Sequence, residues 1–133
     1  MRYNAGMGVY EVSVQCQFIA SHAVRLPDGS LEESHEHPWR ATATFRSERL
    51  DPVMGVVIDF LTVQEAMRAV AAELEGRDLN SMAQFGPGGA SAERVAAFLA
   101  EALARRLGGG CRLYRLALSE APGCTAAYYP GGP

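Results

Sequence analysis

At 133 residues, 48% hydrophobic and 20% charged, the chain has the size of one domain with a sizeable core and no room for two. Its 12 basic and 15 acidic residues leave a net charge of −3, which offers no basic field to nucleic acid or to an anionic membrane surface. The apolar runs are too short to span a bilayer, and three widely spaced cysteines, Cys16, Cys111 and Cys124, contain no CxxC pair and make no disulfide framework. The opening stretch MRYNAGMGVYEV lacks the apolar segment of a signal peptide, so a cytoplasmic protein with reduced thiols is expected.

From Val9 to His22 the chain alternates. Tyr10, Val12, Val14, Cys16, Phe18, Ala20 and His22 share one face, and Glu11, Ser13, Gln15, Gln17 and Ser21 lie on the other, the period of a half-buried strand. The turn-rich stretch RLPDGSLEES follows. A second alternating run then places His35, His37, Trp39, Ala41, Ala43 and Phe45 together, and the two runs read as a long hairpin. TVQEAMRAVAAELEG reads as a helix, with Thr62 and Glu65 as a capping box, an apolar stripe through Val63, Ala66, Met67, Val70, Ala71 and Leu74, and Gly76 as the stop. A second helix is expected from about Ser91 to Leu107, closed by Gly108. CRLYRLALSE and CTAAYY complete a second strand pair. The order β-β-α-α-β-β predicts an α+β fold, an antiparallel sheet with two helices packed on one face, as a single domain over residues 1–129 with a disordered tail at 130–133.

Two of the three histidines, His35 and His37, stand two apart in one strand and so project from one face. His22 ends the partner strand on its own apolar face. A hairpin can therefore bring three imidazoles to one point, the way catalytic zinc is held by three nitrogens with a fourth position open. Such an ion polarises a substrate oxygen and lowers the pKa of a bound hydroxyl. A cupin site also uses an HxH pair, but it wants a carboxylate shortly afterwards, where this chain has Ala41 and Ala43.

The segments FIASH (18–22), HEH (35–37), GVVIDF (55–60), DLN (78–80), SAE (91–93) and the late SE…YY occur in the order found in the 6-pyruvoyl-tetrahydropterin synthase / 6-carboxytetrahydropterin synthase family. The chain resembles that family over nearly its whole length. The resemblance implies a T-fold, zinc on His22, His35 and His37, and a dihydropterin substrate whose side-chain hydroxyls meet the metal. It implies that Glu120 anchors the pterin ring through its N–H groups, with Ser91 as a second pocket residue. It also implies homo-oligomers, trimers paired into hexamers with sites between subunits, which would protect the sheet edges.

The departures from that pattern bear on the reaction. Leu31 stands where the synthases carry a catalytic cysteine, and Glu75 and Gly76 stand where they carry an Asp-His proton relay. One branch of the family replaces the cysteine with a glutamate three residues before the first histidine of the pair and cleaves the side chain to 6-hydroxymethyl-dihydropterin. Glu32 has that spacing and Glu33 is next to it, so both are candidate bases. The expectation is a zinc-dependent pterin lyase acting on 7,8-dihydroneopterin triphosphate or a related pterin. The alternative is a repurposed paralogue that binds zinc and a pterin- or purine-like ligand without turnover.

Overall fold

The computed structural model describes residues 8–86 and 88–132. The first seven residues of the expected domain, Pro87 and the last residue of the expected tail, Pro133, lie outside them. Two 13-residue strands, β1 (Tyr10–His22) and β2 (His35–Ser47), are followed by helix α1 (Phe60–Ala72), two 3₁₀ turns (Leu79–Ser81 and Ala83–Phe85), helix α2 (Ala92–Leu107) and strands β3 (Leu113–Ala121) and β4 (Cys124–Tyr128). The four strands form one antiparallel sheet in sequence order. The expected element order and the hairpin are both found.

Alternation in the strands decides which face the helices cover. Val14, Phe18, Ala20 and His22 of β1, Trp39, Ala41, Ala43 and Phe45 of β2, and Leu116 and Leu118 of β3 are all buried. Against them pack Val63, Ala66, Met67, Val70 and Ala71 of α1 and Val95, Ala96, Leu99, Ala100, Ala102 and Leu103 of α2. The alanines on both sides allow close approach of helix and sheet, and burying each large side chain contributes about 1.5–3 kcal/mol. The opposite sheet face carries Ser13 and Thr44, whose hydroxyls hydrogen-bond at 3.0 Å.

Helix α1 begins earlier than its sequence pattern suggests. Asp59 is its cap: Leu61 N–H donates to Oδ1 at 3.2 Å and the Thr62 hydroxyl donates to Oδ2 at 2.9 Å. Thr62 therefore lies inside the first turn, and the expected Thr62–Glu65 capping box is replaced. A carboxylate next to the helix start satisfies a free amide and also meets the positive end of the helix dipole. α2 begins as expected, with Ser91 Oγ accepting from Arg94 N–H at 3.2 Å, and ends at Gly108, whose φ of 89° favours glycine. At the chain end Gly132 N–H donates to the Tyr129 carbonyl at 3.0 Å, so the segment expected as a tail includes a turn.

Two irregularities bear on the site. β3 pairs with β2 only from Arg40↔Ser119 onward, so among the described residues the His35–Trp39 end of β2 has no strand partner on that side. Between Ser119 and Ala121 the β3–β4 register shifts, which places Glu120 at a bulge, a device that re-aims a side chain. Asp59→Ala is expected to lower stability by about 1 kcal/mol, the usual cost of a lost cap, measured by urea unfolding with the slope of the transition unchanged.

Candidate metal centre

The candidate site forms where β1 ends, β2 begins and β3 finishes. Register places His22 directly opposite His35, and Ala20 opposite His37. Side chains opposite one another in an antiparallel pair lie close on the same face, so the three imidazoles meet. Their ring centroids are 4.7 Å (His22–His35), 4.9 Å (His22–His37) and 4.6 Å (His35–His37) apart. From its bulge Glu120 brings Oε2 to 2.9 Å from His22 Nε2 and 3.4 Å from His37 Nε2.

The surrounding contacts decide which nitrogens hold protons. His22 Nδ1 lies 2.6 Å from the Ala90 carbonyl, which can only accept, so Nδ1 carries the hydrogen and Nε2 keeps its lone pair. His35 Nδ1 likewise lies 3.2 Å from the Glu33 carbonyl, leaving its Nε2 free. Burial, and then the neighbouring His22, hold the His37 pKa below the ordinary imidazole value, against an opposing pull from Glu120. His37 is therefore neutral at pH 7, the form that ligates a metal.

The consequence is a convergence of electron-pair donors. His22 Nε2 and His37 Nε2 are 3.0 Å apart, and a proton on His37 can serve that one contact only. Glu120 Oε2 is buried without a hydrogen-bond partner, although His22 Nε2 is 2.9 Å away. One ligand atom from each of His22, His35, His37 and Glu120 falls within 4.8 Å of all the others. Imidazole nitrogens and a carboxylate oxygen make the donor set that zinc takes, and ligands about 2.0–2.1 Å from a tetrahedral ion lie roughly 3.3 Å apart. The residues fit such an ion.

Trp39 supports this cluster. Its indole is fully buried, donates Nε1–H to the Ala20 carbonyl at 3.1 Å, and meets the His22 and His37 rings at centroid distances of 4.6 and 5.1 Å. A cleft of about 450 Å³ opens beside it, lined by Gln17, His37, Trp39, Arg40, Ser119 and Glu120 among others, a size common for small-molecule sites. A smaller cavity of about 170 Å³ joins Glu120 to Ala92, Glu93 and Thr125 at the start of α2.

The two candidate bases are placed differently. Val24 N–H donates to Glu32 Oε1 at 3.1 Å, and Glu32 N–H donates back to the Val24 carbonyl at 3.0 Å. So held, the Glu32 carboxylate lies 3.7 Å from His35 Nδ1. Glu33 is exposed and touches the cluster through its backbone carbonyl. Ser91 directly follows Ala90, but its Oγ accepts from the helix amide of Arg94. The carbonyl of Ala90, the packing of Trp39 and the arrival of Glu120 among the histidines escaped the sequence reading. Only Trp39 carried a visible signal, its shared phase with His35 and His37.

A family model described as 6-pyruvoyl tetrahydropterin synthase matches residues 11–131. The chain belongs to that family. It is 29% identical over 106 residues, 80% of this chain and 85% of the relative, to a dihydroneopterin monophosphate aldolase of Pyrococcus furiosus. The 6-pyruvoyl tetrahydropterin synthase of Caenorhabditis elegans superposes with a TM-score of 0.79 at 20% identity, over 92% of this chain and 96% of that one. A Plasmodium vivax synthase, in a form whose catalytic glutamate is replaced by alanine, gives 0.75 at 15% identity over 91% and 97%. These structures share the T-fold, which agrees with the fold expected from the element order. Among the described residues no helix is long and apolar enough to cross a membrane.

Trp39 is the chain's single tryptophan, so its fluorescence reports on the rings it touches. Titrating zinc into metal-free protein is expected to change that emission and to saturate at one equivalent, and His22→Ala should abolish the response. An emission spectrum unmoved by zinc would contradict the reading of the cluster.

Proposed function

We propose that the protein is a zinc-dependent lyase that cleaves the side chain of a phosphorylated 7,8-dihydroneopterin, the triphosphate or a close relative, to 6-hydroxymethyl-7,8-dihydropterin and a phosphorylated glycolaldehyde. The observation that carries this reading is the Glu32 carboxylate, tethered to Val24 and 3.7 Å from His35, in a chain with Leu31 where the synthases have cysteine and Gly76 where they have the relay histidine. The Pyrococcus furiosus relative is named an aldolase, and the Plasmodium vivax synthase has a glutamate described as catalytic. The first supports a cleavage reaction and the second a carboxylate in this role.

His22, His35 and His37 hold the zinc, which when bound polarises the side-chain hydroxyls and lowers their pKa. Glu32 takes the proton of the C2′ hydroxyl. The C1′–C2′ bond then breaks, C2′ becomes the aldehyde of the phosphorylated fragment, and the electron pair passes to C1′, where the adjoining C6=N5 bond delocalises it. Protonated Glu32 returns its proton to C1′, so one carboxyl serves as base and then acid. Glu33, exposed beside it, is the lesser candidate.

Glu120 anchors the pterin. In the substrate-free chain it sits among the histidines. On substrate binding its carboxylate would turn to the 2-amino and N3–H edge and accept two charge-assisted bonds there. Ser91, next to Ala92 of the small cavity beside Glu120, is the weaker candidate for a substrate contact. The outer edge of β4 and that of β1 ahead of Ile19, which end the strand order among the described residues, with exposed Val53, Met54 and Leu61, suit assembly with further copies as a trimer or hexamer. A cytoplasmic location accords with the free thiols of Cys16, Cys111 and Cys124. No nucleic-acid or membrane partner is proposed.

A second reading, a paralogue that binds zinc and a pterin- or purine-like ligand without turnover, is favoured by the loss of both cysteine and relay. Incubating zinc-loaded protein with dihydroneopterin triphosphate and monophosphate and chromatographing the pterins separates the two. The lyase reading expects 6-hydroxymethyl-dihydropterin; intact substrates leave the second reading standing. Glu32→Gln should lower kcat by about 10²-fold or more, as loss of a general base does, with zinc content unchanged and Glu33→Gln near the parent. Glu120→Ala should raise KM about 10- to 100-fold, in line with a lost hydrogen bond to a charged group, while keeping the metal. Loss of zinc in Glu120→Ala would make that residue a ligand instead.

A further inference from the structure

The segment after α1 closes the outer edge of β1 at its histidine-bearing end. Gly76 N–H donates to the Ile19 carbonyl at 2.7 Å, and Ser21 N–H donates to the Arg77 carbonyl at 3.0 Å. Ile19 N–H donates to Glu75 Oε1 at 3.2 Å. At Ala23, one residue past the strand, the partner becomes a side chain. Ala23 N–H donates to Asn80 Oδ1 at 2.9 Å, and Asn80 Nδ2 donates to the Ala23 carbonyl at 2.9 Å. A primary amide has one acceptor and one donor side by side, so it meets the N–H and the C=O of one residue as a neighbouring strand would.

Asn80 is itself held. The Asp78 carboxylate caps the 3₁₀ turn, accepting from Asn80 N–H at 3.2 Å, and Leu79 beside it is fully buried. From the other side Gly89 presses on the same peptide: a Cβ there would stand 3.1 Å from the Ala23 carbonyl oxygen and 3.4 Å from Asn80 Nδ2, and its φ of 88° favours glycine. The next residue, Ala90, supplies the carbonyl that fixes the His22 tautomer. The backbone on either side of His22 and the proton on its ring are thus set by residues 75–90. Glu75 and Gly76, where the family has a proton relay, are engaged with the backbone of Ile19.

We propose that Asn80 is a positioning residue of the metal centre: by gripping both polar groups of Ala23 it sets the reach of His22 Nε2 toward His37 and Glu120. The inference rests on the zinc reading of the cluster. Partners that orient a metal ligand typically alter affinity by about 10- to 100-fold when removed. Asn80→Ala loses both bonds, and Asn80→Asp keeps the acceptor while setting a carboxylate against the Ala23 carbonyl.

The test is competition for zinc against a chromophoric chelator, run beside urea unfolding of the metal-free proteins. Both variants should bind zinc about 10- to 100-fold more weakly, by more than any loss of metal-free stability accounts for. Zinc should also slow hydrogen exchange at the Ala23 amide in the parent, a readout that survives if a variant fails to fold. Variant affinities within twofold of the parent, or Ala23 exchange indifferent to zinc, would overturn the proposal and leave Asn80 a purely structural residue. A parent protein that takes up no zinc would remove the metal reading, and this inference with it.

Discussion

The pairing of His22 with His35 across the first hairpin is the constraint on which the rest of the structure depends. Side chains alternate along a strand, so a slip of one residue in this pair would send every imidazole of β2 to the opposite face. The register is held by the core itself. Phe18 lies opposite Trp39 and Cys16 opposite Ala41, all helix-facing, and the Trp39 indole ties the strands by its bond to the Ala20 carbonyl. One alternation thus builds an apolar core over most of its length and a cluster of nitrogen donors at its end.

That continuity brings a conflict. His22 is 1% exposed and its Nε2 faces a second imidazole nitrogen and a carboxylate oxygen, so groups that can donate electron pairs are gathered at one buried point. Buried polar atoms left without partners destabilise a fold, and a cation resolves all of the contacts together. Metal binding to such a preformed site adds to the stability of the folded state.

What the sequence disclosed follows from what periodicity encodes. The shared phase of His22, His35 and His37, the helical stripes and the glycine stop after Leu107 are one-dimensional signals, and each has its counterpart in the structure. The α1 start was misplaced because Asp59 and Thr62 are both good capping residues three apart, and tertiary context selects between them. Glu120 was legible as a late carboxylate, but its approach to His22 depends on a bulge between Ser119 and Ala121, which no spacing reveals. The Ala90 carbonyl and the Asn80 grip on Ala23 join residues nearly sixty or more positions apart, through groups that composition does not register.

In the proposed reaction a carboxylate takes the work that the family resemblance assigns to thiol and imidazole. The sequence keeps the three histidines and loses the cysteine and relay histidine of the synthases, and Glu32 stands tethered beside the cluster. With all three imidazoles engaged at the cluster, no histidine is left for proton transfer, so a carboxylate that first takes and then returns one proton suits a bond cleavage with no net change in protonation. X-ray absorption spectroscopy of the zinc-loaded protein is the most direct measurement of the central claim. The zinc-loaded protein is expected to hold one zinc per chain with three imidazoles and otherwise only oxygen scatterers in its shell. Sulfur in that shell, fewer imidazoles, or the absence of stoichiometric zinc would contradict it.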